Sequence, residues 1–207
     1  VEIDATAFDD LAGNSYAGIT NSTTWNFVTE DIAPPTVLTF SPPDGAPAVG
    51  INADLLITFN EPVEAVLGDI TIRRSGDDAI IEIIPVTDTR VSGSGTDVIT
   101  VNPSGTFAGQ TGYYVLIDAS CFDDLSGNSY AGIADTTTWN FTSEDIADPT
   151  VASLSPVDNA TGVGINANLF ITFSEDVTVQ SGAITITRAE DDVVFESIPV
   201  GDARVTV

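Results

Sequence analysis

Along this chain, short stretches in which apolar and polar residues alternate are separated by clusters of Gly, Pro, Asn and Asp. A period of two with β-branched and aromatic residues marks half-buried strands, and the clusters mark the turns between them. Between residues 36 and 146 the pattern predicts seven strands, at 36–41, 53–59, 69–74, 79–86, 97–102, 112–118 and 137–143. In the second strand Leu55, Ile57 and Phe59 are expected to face inward. Tyr113, Val115 and Ile117 do so in the sixth, and Trp139 and Phe141 in the seventh. No stretch has a helical period of adequate length.

The pattern also repeats. FDDLAGNSYAGI at Phe8–Ile19 returns as FDDLSGNSYAGI at Phe122–Ile133, 114 residues later. The same offset relates Thr24-Trp25-Asn26-Phe27 to Thr138-Trp139-Asn140-Phe141, and Gly50-Ile51-Asn52-Ala53 to Gly164-Ile165-Asn166-Ala167. Repetition on this scale defines the architecture before any local reading does. Residues 1–33 read as the C-terminal part of a module plus a linker, residues 34–146 as a complete module, and residues 147–207 as the N-terminal part of a third. In the first part Val1–Ile3 ends one strand and Thr24–Val28 forms the last. In the third, strands are expected near 150–155, 167–173, 183–188 and 192–199, with a fifth beginning at Arg204. The counterpart of residues 94–114 is missing between the two partial modules, so the chain reads as an internal or processed piece of something longer. Seven short strands in one module are the pattern of an all-β fold: tandem immunoglobulin-like antiparallel β-sandwich modules. Tyr113 or Tyr114, opening the sixth strand, stands where a tyrosine corner is expected.

Composition narrows the chemistry. The net charge is −26, from 31 acidic residues against five arginines, and lysine, histidine and methionine are absent. Such a surface repels nucleic acid and anionic membranes. It suits hard cations, calcium above all, which prefer carboxylate and carbonyl oxygens; the plain alternative is that acidity only confers solubility. Without histidine or lysine the usual bases for Ser or Cys nucleophiles are missing, so no enzyme is expected. Lys–Asn isopeptide cross-links are excluded for the same reason. Cys121 has Ala7 as its repeat partner and is expected to be a small core residue without a disulfide. No apolar run approaches the roughly 20 residues that span a bilayer, so no membrane insertion is expected in this segment. Asn21-Ser22-Thr23, Asn140-Phe141-Thr142 and Asn159-Ala160-Thr161 fit a glycosylation sequon, a frequent accident.

Topology suggests where the acids converge. In a seven-strand sandwich alternate loops fall at opposite ends. The second-to-third loop (Asn60-Glu61-Pro62) and the sixth-to-seventh loop (Asp123, Asp124, Asn128) then share an end with the incoming linker, which brings Glu30 and Asp31. At the next junction the same logic gathers Glu144, Asp145, Asp148 and Glu175, with Asp176 near. Carboxylates packed in this way repel one another unless protonated, splayed or neutralised by a cation. The competing reading of DDLxGN is a tight turn, because Gly127 and Asn128 tolerate positive φ and an aspartate can bond backbone amides.

The segments PTV-x₃-SP-x-DGA, GIN, LLITFNEPV, GYYVLIDAS, FDDLSGNSYAGI and TWNFTSED together resemble the bacterial Ig-like repeats of surface-layer proteins and large repetitive adhesins. The resemblance covers the complete module and both partial ones. It implies a stalk or spacer role in a cell-surface, extracellular or secreted filament, with neighbouring modules or copies of the chain as partners. Two finer expectations accompany it. Calcium rigidifies the junctions, and residues 1–33 of one copy supply the last strands of the unfinished module in another. The alternative is an adhesin module that binds a cell-surface, glycan or protein ligand through its loops, where Tyr16 and Tyr130 are the only clear aromatic candidates.

Overall fold

The computed structural model describes all 207 residues, Val1–Val207. It is all-β, with no helix long and apolar enough to cross a membrane. The chain divides into two units, Val1–Asp145 and Ile146–Val207.

Ten strands lie in the first unit: β1 Val37–Ser41, β2 Ala46–Val49, β3 Leu55–Ala65, β4 Asp69–Arg74, β5 Ile80–Pro85, β6 Val91–Ser92, β7 Thr96–Val101, β8 Gly112–Ile117, β9 Phe122–Asp124 and β10 Asn140–Ser143. They form two sheets, one in the order β1-β3-β7-β6 with β9 also on β3, the other β2-β10-β8-β4-β5. All seven expected strands are present, and β2, β6 and β9 are additional. The sequence hid these because each has four residues or fewer, too short for an alternation to show. The pairs are antiparallel except β2 with β10, which is parallel and sets Phe141 opposite Ala46. The entering strand is thus split, its first half on β3 and its second on β10, broken at Pro42 and Pro43.

The alternation predicted inward faces correctly. Leu55, Ile57, Phe59, Tyr113, Val115, Ile117, Trp139 and Phe141 are all buried. Phe59 meets Phe122 and Tyr130 at ring-centroid distances of 5.4 and 5.3 Å, and Trp139 stacks on Phe40 at 4.5 Å. Trp139 also donates its indole N–H to the Pro42 carbonyl at 2.9 Å, as a buried indole must find an acceptor. Tyr113 makes the corner: its hydroxyl accepts the Ala108 N–H at 2.8 Å, whereas Tyr114 reaches outward to Asp78. Cys121 is a free, buried core thiol whose Sγ donates to the Asp69 carbonyl, and burial pushes its pKa up to about 12.

Two expectations about loops need correction. Asn60-Glu61-Pro62 is not a loop, because β3 runs through it to Ala65 with a register shift between Thr58 and Val63. Pro62 cannot donate to a ladder, and a bulge is where a strand tolerates that loss. Asp123 and Asp124 lie on β9, whose residues pair with Val63, Glu64 and Ala65 beyond the bulge.

Residues 1–33 belong to the first unit but form no strand. Val1–Ile3 and Thr24–Val28 were expected as strands and lack the partner strands that β8 and β10 possess. The local turns nevertheless form. Bridges Ile3–Ile19 and Asp9–Ser15 copy Ile117–Ile133 and Asp123–Ser129 at the repeat offset.

The second unit holds two hairpin-like pairs, β11 Val151–Ser155 with β12 Phe170–Phe173, and β13 Ala183–Thr187 with β14 Val194–Pro199. Their registers reproduce β1–β3 and β4–β5 residue for residue, including each irregularity: Leu154 opposes Ile171 as Phe40 opposes Ile57. No strand begins at Arg204, which sits in a turn and pairs with Asp202 and Glu196. Apolar residues of these pairs such as Leu154, Ile171 and Phe173, and Leu169 just before β12, are exposed.

Candidate metal centre

The DDLxGN segment is first of all a turn. Asp124 Oδ1 accepts the N–H groups of Ser126 and Asn128 at 2.8 Å each, and Oδ2 accepts the Asn128 side-chain amide at 2.7 Å. The bond from the Asn128 side chain, with the backbone donors of Asn128, Ser126 and Gly127, holds the Asp124 carboxyl below the usual aspartate range despite its burial. Asp10 and Asn14 repeat the arrangement with the same bonds at 2.8–2.9 Å. This turn therefore forms without help from a neighbouring element.

What distinguishes the second copy is the company Asp124 keeps. The linker residue Asp31 and the bulge residue Glu61 bring carboxylate oxygens to it, and the three groups lie within 4.8 Å of one another. Burial is graded, from exposed Asp31 through partly buried Glu61 to buried Asp124. Asn128 ties the linker down by donating its side-chain N–H to the Asp31 carbonyl at 3.1 Å. Each of the five arginines is engaged elsewhere: Arg73 on the Asp78 carbonyl, Arg74 on Asp77, Arg90 on Glu82 and Asp88, Arg188 on Asp191, and Arg204 on Asp202 and Glu196. The cluster is thus three hard-oxygen donors with no side-chain cation of the protein beside them, a donor set that fits calcium better than a transition metal.

The remaining expected residues are placed differently. Asp123 neighbours Asp124 on β9, and successive strand residues face opposite ways, so it points away from the cluster. Glu30 is exposed and outside the cluster. Glu144 is built into its own module, its Oε1 accepting the Ile51 N–H at 2.9 Å. Glu144 and Asp145 end the first unit, while Asp148 and Glu175 belong to the second. Tyr130, expected as an exposed loop aromatic, is only 8% exposed and packs edge-on against Phe59. The reading also missed a polar cluster on the other sheet. There Arg90 joins Glu82 and Asp88, and Ser104 donates to Glu82 from both its backbone and its hydroxyl. The signal was the recurrence of Asp88-Thr89-Arg90 as Asp202-Ala203-Arg204.

Comparison with known proteins places the architecture. No curated protein matches the sequence. Among solved structures, CopC from Methylosinus trichosporium OB3b is similar at 12% identity over 55% of this chain and 97% of that one, with a TM-score of 0.39. An S-layer protein, rSbsC(31-844), is similar at 16% identity over 82% of this chain and 22% of that one, with a TM-score of 0.37. Both overlaps are too loose to carry a functional argument. The family of bacterial Ig-like domains matches residues 31–143 and again residues 145–207. Two registers that agree at the 114-residue offset and a sequence match to both stretches lead to one statement: the chain belongs to the bacterial Ig-like domain family.

Proposed function

We propose that this chain is a structural segment of an extracellular or cell-surface stalk or filament, and that calcium stiffens the entry to its complete module. The observation that carries the reading is the convergence of Asp31, from the linker, on Glu61 and Asp124 of the module. An ion held by all three ties the linker to the folded body, so binding stiffens that connection. Calcium takes six to eight oxygens at about 2.3–2.6 Å in adaptable geometry, and carboxylates with nearby carbonyls and water are its usual donors. Completion of modules by strand exchange between subunits belongs to the same proposal. The adhesin alternative rested on the loop aromatics Tyr16 and Tyr130; Tyr130 lies in the core, which leaves Tyr16 as its one exposed candidate.

Calorimetric titration with calcium, together with melting curves in calcium and in chelator, tests the ion. Saturation at about a hundredfold the dissociation constant raises stability by about 2.7 kcal/mol. Glu61→Gln, which removes one of three clustered charges at a partly buried bulge position, is expected to abolish most of that gain without lowering the chelated melting temperature. A chain with the same melting temperature in calcium and in chelator, and no binding heat, overturns the calcium reading and leaves the acidity a matter of solubility.

A further inference from the structure

Two asparagines of the complete module grip the linker that leads into it. Pro34 and Pro35 lack an N–H, so the backbone donors between Asp31 and β1 are those of Ile32, Ala33 and Thr36. Asp31 Oδ1 accepts the Ala33 N–H at 3.1 Å, and Asn60 Oδ1 on β3 accepts the Thr36 N–H at 2.6 Å. Asn60 also donates its backbone N–H to the Thr36 carbonyl at 2.9 Å. At the other end, Asn128 donates its side-chain N–H to the Asp31 carbonyl at 3.1 Å, and Pro35 between the two grips is buried. Each asparagine has a further bond, and each of these goes to a carboxylate of the acidic cluster. Asn60 donates from Nδ2 to Glu61 Oε1 at 3.1 Å, and Asn128 from Nδ2 to Asp124 Oδ2 at 2.7 Å.

Charge works against these grips. Seating the linker sets the Asp31 carboxylate within 4.8 Å of those of Glu61 and Asp124, while every arginine is engaged elsewhere. Like charges so placed repel, and because Asp31 is exposed the repulsion is open to screening by salt. The two residues that hold the linker therefore also hold the carboxylates that push it away. Neutralising the cluster removes the opposition and leaves the bonds in place.

We infer that Asp31–Thr36 is an electrostatic strap: Asn60 and Asn128 seat it, repulsion among Asp31, Glu61 and Asp124 lifts it, and the charge of the cluster sets how firmly it is held. The strap deepens the calcium reading above and rests on it only for the identity of the neutralising ion. Asn60 and Asn128 are its positioning residues, and their copies in the chain separate what each bond does. Asn14 makes the same turn with Asp10, so the turn accounts for the Asn128 bond to Asp124 and not for the bond to Asp31. Ser174 stands at the Asn60 position and makes both bonds to Thr150, at 2.8 and 2.9 Å, so holding that end of a linker needs no amide. What the Asn60 amide adds is the bond to Glu61, which couples the grip to the charge.

Asp31→Asn and Glu61→Gln, studied in chelator, test this, because each removes one charge and keeps the oxygen that its neighbour bonds. Backbone order parameters of Ile32 and Ala33 by NMR relaxation, with hydrogen exchange of the Thr36 N–H, report the seating of the linker. At low salt both variants are expected to raise those order parameters and to slow Thr36 exchange several-fold. Salt at about 1 M, where the Debye length is about 3 Å, is expected to bring the unaltered chain toward them. Asn128→Ala is expected to lower the order parameters and, combined with Asp31→Asn, to cancel the gain; an unchanged Thr36 exchange there shows that the Asn60 end and the module remain folded. Linker dynamics identical in the unaltered chain, Asp31→Asn and Glu61→Gln at low salt overturn the inference, as does a linker equally ordered in Asn128→Ala. These responses in a chain that gives no calcium heat keep the strap and remove the ion, and calcium heat without them does the reverse.

Discussion

Trp139 and Trp25 are the same residue in two copies of one sequence, and they differ in everything that energy depends on. Trp139 is fully buried, stacked and hydrogen bonded, whereas Trp25 is 50% exposed. Trp139→Ala is expected to cost about 3–5 kcal/mol. Trp25→Ala is expected to change the stability of the monomeric chain by no more than about 0.5 kcal/mol. Chemical denaturation of the two variants at low concentration checks the contrast. Burial of this kind was legible, since every residue that period-two alternation selected in the second, sixth and seventh strands is buried. Which copy would be covered was not, because alternation describes a strand and not its partner. A second residue-scale effect concerns acid. The Arg90 side chain and backbone N–H hold Asp88 at a pKa of about 2, below the ordinary 3.8. Its folded pKa is depressed, so its contribution is present above pH about 4 and is lost as pH falls from about 4 toward 2. The gap in melting temperature between the native chain and Asp88→Asn should therefore narrow over that interval and stay constant above it.

At the scale of elements, the turns are the most autonomous parts of the fold. The Asp-x-x-x-Asn turn forms both at Asp124, beneath a packed module, and at Asp10, without one. Local hydrogen bonding suffices, which is why the turn could be read from DDLxGN alone. The carboxylate cluster was only half legible. Charge and topology brought Asp31, Glu61 and Asp124 into one group, but Asp123, expected beside them, lies outside it, and Glu144, expected at the next junction, is engaged within its own module. The reasons are geometric, since a short strand aims neighbouring residues to opposite faces and Glu144 is held by the Ile51 amide. Two glycines of the same segment allow a graded test. Gly127 has φ +87° with open space around a hypothetical Cβ, while Gly132 has φ +77° and a Cβ there would lie 2.4 Å from the Ile117 carbonyl oxygen. Gly127→Ala is expected to cost about 1–2 kcal/mol for the left-handed backbone alone. Gly132→Ala must also move main-chain atoms, and thermal unfolding should show a distinctly larger loss.

For the whole molecule, the repeat made the architecture readable and the family match agrees with it over both stretches. The three short strands were invisible, and with them the split entry of the chain into two sheets. That split has a mechanical meaning. β2, near where the chain enters the complete module, and β10, near where it leaves, run parallel and are joined by backbone bonds such as Gly45 N–H to the Asn140 carbonyl and Glu144 N–H to the Val49 carbonyl, each 2.8 Å. Tension applied through the two ends of the module pulls these strands past each other along their length. The bonds between them are then loaded together, in shear, and must fail as a group. Antiparallel end strands would be peeled apart one bond at a time. A module entered and left in this way is expected to resist stretching more strongly than one closed by antiparallel end strands of the same equilibrium stability.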